Sequence, residues 1–194
     1  MILSVPDSCK NFAIRAGGQT LLGTVPMGGF CHCRAPYWGV DCAMGGSDAP
    51  RCSARPCVYV YELPARMNVL SFRSNGARWH THESDEHMPQ TLHLALLASP
   101  HRTSDANEAD FFFVPVWDFV GFGWGSPAVY WRAHRYVTTA WPYFNRSGGR
   151  DHLWPVARDA GSCATPWGSL LDELRNGIVL SKPAFRQLPG IRAS

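Results

Sequence analysis

Ala109-Asp110-Phe111-Phe112-Phe113-Val114-Pro115-Val116-Trp117 is the stretch from which the rest of this chain can be read. A strand with one wet face alternates apolar and polar residues, whereas this run is continuously apolar from Phe111 and bounded by turn-formers. That is the pattern of a strand buried on both faces, as in the interior of a parallel sheet. Upstream, Leu92, Leu94, Ala95, Leu96 and Leu97 predict an apolar helical segment ended by Ser99-Pro100. Further up, Val58-Tyr59-Val60-Tyr61 is β-branched and aromatic and closes at Leu63-Pro64, as a strand does. Downstream, Gly121, Gly123, Gly125 and Pro127 break the chain before Ala128 to Trp141, whose apolar residues recur at mixed spacings of three and four. That spacing predicts a helix lying on a sheet, ended by Pro142. His152-Leu153-Trp154-Pro155-Val156 and Ile178-Val179-Leu180-Ser181 predict two more strands, with a helix over Leu170 to Asn176 between them. Strand and helix alternate, so the fold class is α/β with a parallel sheet.

With 45% hydrophobic and 12% aromatic residues in 194, the chain has enough apolar material for one core and a small appended module. Disordered and fibrous classes are excluded. The net charge of +3 is scattered without a basic run, so nucleic acid is not an expected partner. No apolar stretch is long enough to span a bilayer, and Met1 to Asp7 lacks the basic and apolar regions of a secretory signal. No repeat, heptad or low-complexity segment is present.

Seven cysteines carry more information than the charge. Cys31, Cys33, Cys42 and Cys52 crowd a turn-rich stretch with Cys57 close behind, while Cys163 stands far off. Such crowding indicates disulfides in an oxidising compartment, where they replace a hydrophobic core. A zinc site is the rival, because Cys31, His32, Cys33 and Cys42 include soft ligands, but a Cys-x-Cys pair lacks the two-residue knuckle spacing. Without an entry signal, either the protein is cytosolic with reduced cysteines or the sequence begins after its true N-terminus, and the particular cysteine spacing favours the second. The texture changes between Ala43 and Pro56. Residues 1–50 therefore read as a cysteine-rich module and 56–194 as the α/β domain.

Cys31-His32-Cys33-Arg34-Ala35-Pro36-Tyr37-Trp38-Gly39-Val40-Asp41-Cys42 resembles the C-terminal half of an EGF-like module, with an aromatic after Pro36 and a glycine three residues before the closing cysteine. The resemblance implies a tight hairpin in which Gly39 permits the turn and Cys33 and Cys42 close the loop. Cys9 is the only upstream partner for Cys31.

Three blocks after residue 56 resemble the exostosin family of inverting glycosyltransferases, glycosyltransferase family 47, in the family's order. They are Val58-Tyr59-Val60-Tyr61-Glu62-Leu63-Pro64; Leu97 to Thr103 continuing through Glu108 to Val116; and Asn145-Arg146-Ser147-Gly148-Gly149-Arg150-Asp151-His152. An EGF-like module ahead of such a domain resembles algal members. The resemblance implies a GT-B fold of two Rossmann-like halves, of which this chain carries the N-terminal half and stops before the donor-binding one. It implies transfer of a sugar from a nucleotide donor of UDP type to a glycan acceptor, with no permanently bound cofactor. It also implies a Golgi-lumenal setting and a membrane anchor outside this sequence. Donor sugar, metal use and oligomeric state stay open. A non-catalytic extracellular binding module and a truncated product without activity are the alternatives.

For chemistry, an inverting transferase needs a base for the acceptor hydroxyl and donors for the departing diphosphate. Where the family reads His-Asp, this chain has Arg158-Asp159, so Asp159 is the nominated catalytic residue. Arg146, Gly148, Gly149, Arg150, Asp151 and His152 are nominated for the acceptor cleft, equally open to a structural role in which an arginine–carboxylate pair pins the turn. Asn145-Arg146-Ser147 is formally a glycosylation sequon, but the block beside it reads as a buried helix end, which disfavours modification. His80, His82 and His87 fit no metal-ligand spacing and are interrupted by acidic residues, so they read as a solvated loop, with His93 just beyond; no Asp-x-Asp pair is present, and no metal ligands are assigned. Trp117, Trp124, Trp131 and Trp141 are available as sugar-stacking platforms, although most read as core.

Overall fold

Strands β1 (Val58–Val60), β2 (Arg102–Thr103), β3 (Phe111–Phe113), β4 (His152–Val156) and β5 (Ile178–Ser181) form one sheet in the order β2-β1-β3-β4-β5. Every pairing is parallel. Helices α1 (Met88–Leu97), α2 (Ala128–Ala140) and α3 (Tyr143–Ser147) and a 3-10 turn at Ala65–Met67 complete the described elements. The computed structural model describes residues 36–47, 49–68, 88–117, 128–156, 174 and 176–181. Cys9, Cys31, Cys33, His80, His82, His87, Trp124, Asp159 and Cys163 lie outside them, as does most of the helix expected over Leu170 to Asn176.

Side-chain alternation sorts the strands into two apolar layers. Val58, Val60 and Phe113 point to one face, where Leu92, Leu96 and Leu97 of α1 cover them. Tyr59, Tyr61, Phe112, Val114, Trp154 and Val156 point to the other, where Tyr130, Ala133 and Val137 of α2 pack with Leu174. Helices on both faces explain why the aromatic run of β3 never alternates: Phe112 and Phe113 are both 0% exposed, on opposite sides. Full burial of each contributes roughly 2–3 kcal/mol.

Pro155 sits inside a central strand, where a proline ordinarily removes a ladder hydrogen bond. Val114 N–H donates to Leu153 O at 3.0 Å, so Leu153 faces β3 and Pro155, two residues on, faces the same side, past the end of β3. Its carbonyl accepts the buried Tyr130 hydroxyl at 2.8 Å instead.

Two elements differ from expectation. The chain re-enters a helix after Pro142, and Gly148 ends that helix in the left-handed conformation at φ 61°. Arg102-Thr103, polar in sequence, forms the edge strand β2 and is buried.

The cysteine-rich stretch lies against this sheet. Trp38 and Met44 exchange backbone hydrogen bonds at 3.0 and 3.1 Å around a turn in which Gly39 has φ +97°. Met44 enters the main core. Asp41 receives both Nη1 and Nη2 of Arg102, with side-chain exposures of 5% and 3%, and Val40 N–H donates to Glu62 Oε2 at 2.9 Å. Pro50 O accepts from Ser104 N–H at 2.7 Å, so the segment covers the outer edge of the sheet. Cys42 is disulfide-bonded, its partner outside the described residues. Cys52 and Cys57 form a second disulfide that the sequence left unassigned, closing a five-residue separation.

Candidate functional site

Strand order reverses between β1 and β3, and in open α/β sheets ligands bind outside the carboxyl ends of the strands at such a point. Here the chain leaves β1 through Tyr61 to Pro64 and leaves β3 through Val114 to Trp117. Trp117 N–H donates to Met67 O at 3.1 Å, tying the two exits together. His93 of α1 packs edge-on against Trp117 at 5.7 Å. The sequence placed His93 beside a polar loop, yet it is 1% exposed, and both ring nitrogens lack a hydrogen-bond partner. Burial, then the Arg102 charge, lowers it to about 3, so the ring is neutral.

Glu62 follows β1 directly. Its Oε2 accepts Val40 N–H while Oε1 is buried against Gly39 without a hydrogen bond. Burial first, then the nearby Asp41, raises this carboxyl to about 7. A carboxyl poised there at the carboxyl edge exchanges protons near neutral pH.

The block nominated from sequence stands at the opposite, amino edge, where α3 turns into β4. Asp151 collects the Ser147 hydroxyl, Arg146 Nη2 at 3.1 Å and His152 Nδ1 at 2.8 Å. Burial pushes the Asp151 carboxyl up, but these hydrogen bonds hold it below the usual range. Because the carboxylate accepts from Nδ1–H, the neutral His152 presents a bare Nε2, which accepts the Tyr61 hydroxyl at 2.9 Å. Burial lowers His152 and raises Tyr61, which keeps both neutral.

Arg146 also donates to Ala106 O and Ala109 O at 3.2 Å and stacks over Phe112 at 4.6 Å. It thereby fastens the loop that feeds β3. Gly149, at φ +84°, leaves room for the Phe144 ring, which a Cβ would meet at 2.6 Å. The cation of the pinned turn is therefore Arg146, whose side chain keeps 41% exposure; Arg150 and Gly148 are exposed as well. Asn145 is exposed as well, so the sequence's ground for disfavouring its modification does not hold.

Asp159 lies outside the described residues, three positions past the carboxyl end of β4. Among the described residues no His, Cys, Asp or Glu group is arranged to hold a metal ion, and no helix is long and apolar enough to cross a membrane. Trp117 is buried and Trp131 and Trp141 pack against the core. Trp38, which the sequence did not single out, is 44% exposed. Nothing in the sequence signals the Asp41–Arg102 pair, whose partners are 61 residues apart. Glu62 was visible only as one letter of a block.

The profile of the Exostosin GT47 domain matches residues 52–187. A probable glucuronosyltransferase of Oryza sativa subsp. japonica is 35% identical over 114 residues, covering 55% of this chain and 26% of that protein. The probable beta-1,4-xylosyltransferase IRX10 of Arabidopsis thaliana is 34% identical over 113 residues, 55% of this chain and 27% of its own. The probable glucuronoxylan glucuronosyltransferase IRX7 of the same plant is 34% identical over 116 residues, 55% and 25%. The chain thus spans about a quarter of the length of the curated relatives it matches. No solved structure matches.

Proposed function

This chain belongs to the exostosin GT47 family, and on that footing we propose that it serves glycosyl transfer from a nucleotide sugar, of UDP type, to a growing glycan. The observation that carries the reading is the family match over residues 52–187 falling on a doubly wound parallel sheet. Such a sheet is one Rossmann-like unit, and in a GT-B enzyme this unit contributes the acceptor side of the cleft. The acceptor then lies at the carboxyl edge, between the exits of β1 and β3. Asp159, three residues after β4 in the sequence, takes the proton from the acceptor hydroxyl as it attacks the anomeric carbon, and the nucleoside diphosphate leaves with the bonding pair. Arg146, Asp151 and His152 hold the amino edge of the sheet together, with Gly148, Gly149 and Arg150 shaping the turn between them.

Residues 1–50, with Cys31, Cys33 and Cys42, form a partial EGF-like module, and the setting is the oxidising Golgi lumen. Names of relatives suggest xylose or glucuronic acid as the transferred sugar. The test is incubation of the longest protein the transcript encodes with UDP-xylose or UDP-glucuronic acid and xylohexaose, with products read by mass spectrometry. Elongated or substituted oligosaccharide supports the reading. Absence of product from every sugar nucleotide offered, with the protein folded, overturns it.

A further inference from the structure

We propose that Trp38 is a stacking platform for one pyranose ring of the acceptor, standing beside the carboxyl end of β1; this rests on the glycosyl-transfer reading. Among the described large apolar side chains Trp38 is the most exposed, at 44%. Exposed single aromatics are common on surfaces, so exposure alone says little. What sets this one apart is how firmly its backbone is held. Both its N–H and its C=O are bonded to Met44. Its neighbour Val40 is fastened to Glu62, and Asp41 is fastened to the buried Arg102. Gly45, at φ +85°, brings bare backbone against the indole, because a Cβ there would stand 2.6 Å from Trp38 Cδ1 and 2.9 Å from Nε1.

The hairpin therefore presents an indole already fixed in place, and a fixed side chain loses little rotamer freedom when a ligand arrives. The chemistry of the ring selects the occupant. An aromatic face is electron-rich and apolar, with an N–H donor at its edge, and the axial C–H face of a β-linked pyranose matches it in size and polarity. Val40 N–H bonds Glu62 Oε2, and a Cβ on Gly39 would stand 3.0 Å from Glu62 Oε1, so the backbone that carries Trp38 lies next to the exit of β1, at the edge where the sheet reverses order. The base of the nucleotide donor is the rival occupant.

The experiment is calorimetric titration of the full chain and its Trp38→Ala and Trp38→Phe variants with xylohexaose, cellohexaose and UDP separately. N-bromosuccinimide oxidation, mapped by peptide mass spectrometry with and without each ligand, reports the ring directly. Expected are a roughly tenfold weaker oligosaccharide Kd for Trp38→Ala, near-native affinity for Trp38→Phe, and protection of Trp38 by the oligosaccharide but not by UDP. Unchanged affinity in Trp38→Ala with wild-type binding intact overturns the platform and leaves the transfer reading standing. Protection by UDP alone overturns it in favour of the donor. A wild-type chain that binds neither oligosaccharide sinks the acceptor-side reading together with it. If Trp38→Ala fails to fold, the oxidation and protection pattern of the wild type decides.

Discussion

Replacing Arg102 with methionine leaves the Asp41 carboxylate in a site where its side chain is 5% exposed, with no cation against it. The guanidinium makes two bonds to that carboxylate and a third, at 3.2 Å, to Leu97 O at the end of α1, so one side chain joins the cysteine-rich loop, β2 and α1. Taking one partner from a buried ion pair costs about 3–5 kcal/mol, because the remaining charge stays desolvated. For a chain of this size that corresponds to a Tm lower by roughly 6–20 °C. Circular-dichroism melts and urea titrations of Arg102→Met, Asp41→Leu and the double variant form a cycle. The double variant should recover most of the loss, since two apolar side chains replace the pair without stranding a charge. A loss under about 1 kcal/mol for Arg102→Met, additive with Asp41→Leu, is the behaviour of a solvent-screened surface pair and rules out a buried clamp.

Tyr61→Phe removes the hydroxyl that His152 Nε2 accepts in a fully buried position, and should destabilise by about 1–3 kcal/mol with the fold intact; an unchanged urea midpoint contradicts the assigned tautomer. Glu62 holds its proton up to about 7 in the folded chain against an ordinary 4.5, so its stabilising contribution is complete below 4.5 and is lost as pH rises through 7. Glu62→Gln should therefore be more stable than wild type at pH 8 and no more stable near pH 4.5, by melts at both. His93 has the opposite sign: with its folded value lowered to about 3 against an ordinary 6.5, its contribution is full above 6.5 and falls away in acid. His93→Leu should flatten the acid limb of the stability profile below 6.5, and an unaltered limb would show that His93 is not what titrates.

Elements that depend on local periodicity are legible in the sequence alone. The apolar run at 111–117, the aromatic run at 58–61 and the spacing over 128–141 each predict an element that is present, and even Pro155 does not hide β4. What escapes depends on distant partners. Arg102 and Thr103 look solvent-exposed until Asp41 comes to meet them, and a two-residue strand has no periodicity to detect. Gly148, a helix end in the structure, reads in sequence as a loop or ligand approach because glycine serves both uses. The same ambiguity governs Arg146 to His152: a Gly-Gly turn flanked by charges looks like a binding loop, and only the fold reveals that Arg146, Asp151 and His152 bond to one another and to the loop feeding β3. Trp38 is one tryptophan among eight, and neither its exposure nor the backbone bonds to Met44 that hold it can be read from sequence.

If the carboxyl edge of the sheet carries the chemistry and the amino edge carries the structure, substitutions at the two edges should divide cleanly between turnover and stability. One paired measurement separates them: turnover per folded molecule and Tm for Asp159→Asn beside Asp151→Asn, in the longest encoded protein with the sugar nucleotide that supports transfer. Asp159→Asn should lose turnover by about 10²-fold or more at an unchanged Tm, while Asp151→Asn lowers Tm and leaves the turnover of its folded fraction near wild type. Turnover abolished in Asp151→Asn and retained in Asp159→Asn would reverse that division and move the site to the other edge of the sheet.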